Sequence, residues 1–197
     1  MKKTSLSVLI ITAFSFSNAI AATATINSTA YQTRAIDTVL DNTDYMASWN
    51  AQTSTVTSQD LADFNGVSSP WSASGEFSHL KVNFTTGIKT NTSFLLAPDA
   101  GFGGAIYVDG NLIASNTADL WWGFDWNNTS QILAGMVNNL KAGDHTFEGY
   151  WAETCCNGGQ GLQIVATAAT PVPAAAWLFG SAIVTLAGVR SRKKQLG

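Results

Sequence analysis

The chain is poor in the residues that most often declare a chemistry. Its 197 residues include two cysteines, two histidines, four prolines and three methionines, and 12% of them are charged. The cysteines are neighbours, Cys155 and Cys156, with no histidine nearby in sequence, which is poor spacing for tetrahedral zinc. Cations are scarcer still in the middle of the chain. Six of the ten Lys and Arg (Lys2, Lys3, Arg190, Arg192, Lys193 and Lys194) flank two apolar ends, while all thirteen carboxylates lie between them. Four cations against thirteen acids give that body a formal charge of −9. With no basic stripe to displace counterions, a nucleic-acid partner is excluded. Also missing are a His-Glu-x-x-His pair, a phosphate-cradling glycine loop and a Ser nucleophile elbow, so no enzyme is read here. Cations, neutral glycans or no small ligand remain.

The two apolar ends are what the chain does have. Met1-Lys2-Lys3 is a basic start, Leu6 to Phe16 is too short to span a bilayer, and Ala19-Ile20-Ala21 supplies a small-x-small site. This pattern predicts a signal peptide over residues 1–21, cut by signal peptidase after Ala21. At the other end, Pro171-Val172-Pro173-Ala174 resists helix, an uncharged run follows from Ala174 to Val189, and Arg190, Arg192, Lys193 and Lys194 form a basic stop. A transmembrane helix over 174–189 is short for a hydrocarbon core of about 30 Å unless Arg190 snorkels. An ordinary single-pass anchor and a buried helix are the other readings of this pattern. Residues 169–197 are thus set apart from a body of 22–168.

That tail resembles the PEP-CTERM class of bacterial sorting signals in its Val-Pro-x-Pro-Ala variant, with Thr170 standing where the variant has Val. The resemblance implies an exosortase-type sorting enzyme as partner and a Gram-negative host that makes extracellular polysaccharide. It also implies a route through the inner membrane to the cell surface or extracellular matrix.

Within the body, short alternating runs dominate and no sustained helical periodicity appears. Leu80, Val82 and Phe84 alternate with Lys81, Asn83 and Thr85, as in a half-buried strand. Ser93 to Ala97, Ala105 to Val108, Leu112 to Ala114, His145 to Trp151 and Leu162 to Thr167 read as further strands, and Asp109-Gly110-Asn111 is the tightest hairpin signal. Gln131 to Leu140 fits a strand or a short helix, and His79 is expected to point to solvent if Leu80 points inward. Many short strands with Gly, Asn and Asp turns predict an all-β, antiparallel β-sandwich. The order Ser93 to Gly101, Ile106 to Gly110, Leu140 to His145 and Gly161 to Ile164 resembles the jelly-roll of protective-antigen and GLEYA-type adhesin domains. Some of those adhesins hold calcium and a sugar with two adjacent Asp residues; here Asp99 is followed by Ala100, so the resemblance carries the fold and not the pair.

Three constellations are candidate sites. Cys155-Cys156-Asn157-Gly158-Gly159 belongs to an exported chain, where two thiols do not stay reduced. Sequence neighbours have Cα atoms about 3.8 Å apart, below the usual disulfide range of about 4.4–6.8 Å. A vicinal disulfide would therefore make a tight turn. A staple, a ligand-facing platform, intermolecular bonds and a metal site are all compatible with this element. With the sorting tail, the Cys-Cys-x-Gly element resembles the CCXG family of PEP-CTERM proteins. Trp121-Trp122-Gly123-Phe124-Asp125-Trp126 suits either stacking on sugar faces or interior packing. Asp99, Asp109, Asp119 and Asp125 are either calcium ligands or solvated loop acids. Ligand-binding candidates are Trp121, Trp122, Trp126, Asp99 and Asp109, with no metal ligand or cofactor assigned beyond that calcium reading. The expected function is a non-enzymatic surface or matrix protein that binds the cell's own exopolysaccharide, or an envelope protein with no small ligand. An enzyme would need two apposed carboxylates, with Glu148 and Glu153 beside the aromatic loop.

Overall fold

A computed structural model describes residues 22–68, 75–155 and 158–169. The signal-peptide region with Ala19 and Ala21, the sorting motif Pro171 to Ala174, the 174–189 helix, the basic stop and Cys156 all lie outside the described residues. Among those described, no helix is long and apolar enough to cross a membrane.

The described chain is an antiparallel β-sandwich. Its strands are β1 (Ala24–Ala35), β2 (Thr57–Leu61), β3 (Asn65–Val67), β4 (Glu76–Thr86), β5 (Thr90–Ala97), β6 (Asp99–Ala100) and β7 (Gly104–Val108). They continue with β8 (Asn111–Asn116), β9 (Leu120–Trp121), β10 (Leu133–Leu140), β11 (Gly143–Glu153) and β12 (Gln160–Ala168). The larger sheet runs β2-β1-β4-β11-β7-β8, the smaller runs β10-β5-β12-β3, and β6 with β9 makes a two-stranded ribbon.

Period-two alternation builds the core. Leu80, Val82 and Phe84 on β4 point inward together with Phe147 on β11 and Ile106 on β7, and meet Phe94 and Leu96 on β5 and Leu133 on β10. Phe94 stacks on Phe147 with ring centroids 5.6 Å apart and lies edge-on to Phe84 at 5.6 Å. Each such side chain contributes about 1.5–3 kcal/mol by leaving water. The Asp-Gly signal forms the expected two-residue hairpin between β7 and β8. Asp109 and Gly110 adopt φ of 51° and 75°, the left-handed pair that a type I′ turn requires. Gln131 to Leu140 resolves into a single 3₁₀ turn, Thr129–Gln131, leading into β10.

The outer face of the larger sheet corrects two expectations. A two-turn helix, α1 (Tyr45–Ala51), lies across it, capped by the Asp44 carboxylate accepting from Ala47 N–H at 2.9 Å. At seven residues it is too short to leave a periodic signature; Tyr45 and Trp49, one turn apart, seat it against Phe77, Tyr107 and Tyr150. His79 does point away from the core, as alternation demands, but it is 7% exposed and not solvated. It stacks on Tyr150 at 4.3 Å, Trp49 leans against it at 5.4 Å, and its two ring nitrogens meet Gln32 Oε1 at 2.8 Å and Glu148 Oε1 at 3.3 Å.

Strand direction gives the sandwich two unlike ends. Ala24 and Gly143 both pair with Thr86, and Ala168 pairs with Thr90, so the chain enters and leaves the body at one end. Glu153, the β5–β6 junction and the start of β12 gather at the other. Nine residues of β12, at about 3.3 Å each, separate the two ends by roughly 30 Å.

Candidate functional site

At the end remote from the chain exit, the last residue of β11, the ribbon β6–β9 and the glycines before β12 enclose an open cleft of about 700 Å³. Its lining is Asp99, Gly101, Asp119, Trp121, Glu153, Thr154, Cys155 and Gly158. Trp121 of the aromatic run and Cys155 and Gly158 of the cysteine-glycine run therefore line one cavity.

Glu153 organises the first wall. It is 7% exposed, and its carboxylate accepts three backbone N–H groups: Gly101 at 2.5 Å, Thr154 at 2.6 Å and Cys155 at 2.8 Å. This carboxylate ties the turn after β11 to the loop after β6. Cys155 is exposed at the rim and engaged in a disulfide.

Asp99 forms the floor. It is 5% exposed, and its Oδ2 accepts the Gly158 N–H, the one hydrogen bond its side chain receives among the described residues. Burial pushes the Asp99 carboxyl above its ordinary value; the Gly158 N–H opposes this, and the charges of Glu153 and Asp119 add to the rise. Asp119 is exposed at the mouth.

The aromatic wall is held by backbone geometry. Asp99 pairs with Trp121 across the β6–β9 ribbon, and Trp121 N–H donates to Gln131 Oε1 at 2.6 Å. Gly123 and Phe124 both adopt positive φ, 62° and 63°. For a phenylalanine that region costs on the order of 1–3 kcal/mol. The turn leaves Trp121 64% and Phe124 63% exposed. Opposite them, a Cβ on Gly158 would lie 2.9 Å from Asp99 Oδ2, and one on Gly159 would lie 1.9 Å from the Phe124 ring. Only glycine lets the strand pass under both groups. Gln160, buried at the foot of β12, has no hydrogen-bond partner for either amide atom among the described residues.

The remaining predicted site residues lie elsewhere. Trp122 is 2% exposed and packs with Ala97 and Ile132 beneath the half-buried Trp126, because alternation turns it to the opposite side from Trp121. Asp109 sits in the β7–β8 hairpin toward the chain-exit end, where its carboxylate accepts Thr146 N–H at 2.9 Å and meets His145 Nδ1 at 2.8 Å. Asp125 accepts from Asn127 N–H at 2.9 Å within its own turn. Of the four candidate calcium acids only Asp99 and Asp119 share the cleft, and among the described residues no three side chains of His, Cys, Asp or Glu are grouped to hold a metal ion. Glu148 and Glu153 are not apposed either. They lie five residues apart on β11, and Glu148 faces His79 on the outer side, which holds its carboxyl below the ordinary value. The aromatic run marked Trp121 in sequence; Glu153 as a positioning group and Gly158 and Gly159 as the close-approach pair carried no signal beyond their neighbourhood.

No family model matches the chain, and no curated protein does. Among solved structures, similar folds include the PA14 domain of the antifreeze protein MpAFP, at TM-score 0.47 and 12% identity, covering 81% of this chain and 90% of that one. Another is the A domain of epithelial adhesin 6 from Candida glabrata in complex with Galβ1-3GlcNAc, at TM-score 0.44 and 9% identity, covering 76% and 83%. A third is a β-glucosidase from Kluyveromyces marxianus in complex with glucose, at TM-score 0.47 and 10% identity; 70% of this chain matches only 15% of that enzyme.

Proposed function

We propose that this is an exported surface or matrix protein whose cleft binds the extracellular polysaccharide of its own cell. In this reading residues 1–21 are removed by signal peptidase. The 169–197 tail holds the protein at the inner membrane until an exosortase-type enzyme processes it, and the body is then displayed on the surface or in the matrix of a Gram-negative bacterium.

The observation that carries the proposal is the position of the cleft. It opens at the end of the sandwich opposite the point where the tail departs, so a body held by its tail presents the cleft outward. The chemistry is compatible with sugar. An exposed indole offers a flat apolar face for the C–H side of a pyranose, and beside it lies the Asp99 carboxylate, a group that accepts from hydroxyls. Glu153 and the two glycines preorganise the walls, which lowers the ordering cost of binding.

Retention of the full chain on its host's purified polysaccharide tests this. Trp121→Ala should abolish retention while melting like the parent; a folded variant that is still retained would remove the cleft from the proposal. Mass measurement of the protein recovered from its host without reduction tests processing and sulfur state together. The expected species lacks residues 1–21 and part of the tail, and is two hydrogens lighter than the dithiol through a Cys155–Cys156 bridge. An uncut chain or two intact thiols would contradict the corresponding part.

A further inference from the structure

Resting on the reading that the chain is exported, we propose that Asn127 is an N-glycosylation site, its side-chain nitrogen taking an oligosaccharide from a lipid-pyrophosphate-linked donor. Five asparagines stand in Asn-x-Ser/Thr, the acceptor pattern of exported chains: Asn27, Asn83, Asn91, Asn127 and Asn128. The fold separates them. Asn83 lies in β4, paired on both sides, where its Nδ2 donates to Ser28 Oγ at 2.8 Å and its Oδ1 accepts from Thr146 Oγ1 at 3.2 Å. Asn91 is half-buried in β5 between β10 and β12, and its Oδ1 accepts the Asn139 N–H at 2.9 Å. Asn27 is exposed, but it belongs to β1 and its Nδ2 donates to Thr85 Oγ1 at 2.7 Å. A transferase has to grip several residues around its acceptor, and on a strand their backbone groups are already bonded to neighbouring strands.

The loop between β9 and β10 is built differently. Its backbone bonds to itself in short steps: Asp125 N–H to the Trp122 carbonyl at 3.3 Å, Asn128 N–H to that of Asp125 at 3.0 Å and Thr129 N–H to that of Asn127 at 2.9 Å. Buried Trp122 and half-buried Trp126 seat the loop on Leu95 and Ala97 of β5, while Asp125, Asn127 and Thr129 are exposed. Of the five asparagines, only Asn127 has a carboxylate two residues ahead. Asp125 Oδ1 accepts both the Asn127 backbone N–H, at 2.9 Å, and its Nδ2–H, at 3.1 Å. An amide nitrogen is a poor nucleophile because its lone pair is delocalised into the carbonyl, and an anion accepting one of its hydrogens pushes electron density back onto it. The neighbouring Asn128 is half-buried, and its Oδ1 accepts the Ser130 hydroxyl at 3.0 Å. In the transfer, Nδ2 attacks C1 of the donor sugar, a C–N bond forms and the C1–O bond to pyrophosphate breaks. The lipid pyrophosphate leaves with the bonding pair, and one Nδ2 proton passes to a base of the transferase.

The full chain recovered from its host and cut at Lys89 and Lys141 yields a 90–141 peptide that holds Asn91, Asn127 and Asn128. The mass of this peptide should exceed that of the bare sequence by one oligosaccharide, and fragmentation should place the addition on Asn127. Two overlapping acceptor patterns allow the neighbours to be told apart. Thr129→Ala destroys the pattern at Asn127 and leaves that at Asn128, whereas Ser130→Ala does the reverse. Asn127→Gln and Thr129→Ala should each lose the addition completely, while Ser130→Ala and Asn91→Gln should keep it. Loss in Ser130→Ala with retention in Thr129→Ala would assign it to Asn128 and overturn the inference. So would an addition that persists in Asn127→Gln, carried by a hydroxyl or by Asn91. A chain lacking residues 1–21 whose 90–141 peptide has its bare mass would also overturn it and leave export standing. A bare peptide from a chain that still carries residues 1–21 would overturn both.

Discussion

The two ends of the sandwich are built from the same strands and differ in what satisfies their polar groups. At the chain-exit end, side chains are satisfied by one another and by a turn carbonyl: Thr90 and Thr92 hydroxyls lie 2.8 Å apart, Thr86 donates to the Lys141 carbonyl at 2.9 Å, and His145 bridges the Asp109 carboxylate and the Lys141 carbonyl. At the cleft end, carboxylates are paired with backbone N–H groups, an indole and a phenyl ring stand in solvent, and the Gln160 amide has no partner among the described residues. One end is closed for stability. The other holds buried carboxylates beside exposed aromatic surface, which is what a binding site needs and a structural end avoids.

Substitutions can break or sharpen that contrast. The largest effect is expected where both ends depend on one core. Trp151→Ala removes a ring that is 1% exposed and stacked on Tyr31 at 6.0 Å, and should cost about 3–5 kcal/mol, read as a fall of roughly 10 °C or more in thermal midpoint with both ends lost together. Next, Glu153→Gln and His145→Ala should separate the ends. The first turns an N–H donor toward backbone donors and should cost about 2–3 kcal/mol with loss of polysaccharide retention. The second should cost about 1 kcal/mol with retention intact. If His145→Ala also abolished retention, the ends would not be independent.

Titration should distinguish two carboxylates, the buried Asp99 and the half-buried Glu148, by sign. The Asp99 carboxyl is raised by burial, so its contribution to stability is fully present below the ordinary carboxylate value and is lost as pH rises through its elevated one. Asp99→Asn should therefore be more stable than the parent at neutral pH, the difference vanishing in acid. The Glu148 carboxyl is lowered, first by its hydrogen bond with His79, so its contribution is present above the ordinary value and is lost as pH falls through the depressed one. Glu148→Gln should be less stable at neutral pH and converge with the parent in acid. Denaturant midpoints across pH 3 to 7 would check both, and curves of the same sign would contradict the environments described. The smallest effect on stability belongs to Trp121→Ala, within about 0.5 kcal/mol because the ring is largely solvated, although it should have the largest effect on binding.

How much was legible in advance follows residue by residue. Leu80, Val82 and Phe84 announced their strand because period two needs only local sequence, and Asp109-Gly110 announced its turn because left-handed φ restricts residue choice. Trp121 and Trp122 could not be told apart until the strand direction was known, since adjacent residues on an extended chain face opposite sides. Asp99 and Asp109 looked equivalent as loop acids. They separated only when β7 carried one of them to the other half of the sandwich.

By itself the sequence determined an alternating, glycine-punctuated body that must fold as an antiparallel sandwich, because side-chain periodicity and turn chemistry act between near neighbours. It also determined that this body is strongly acidic, with few cations to set against its carboxylates. Only the tertiary structure decided which carboxylates share a cavity, which tryptophan meets water and which glycines pass beneath them. Those outcomes depend on pairings between β4, β5, β11 and β12, whose residues lie tens of positions apart and are brought together by burial of one shared core.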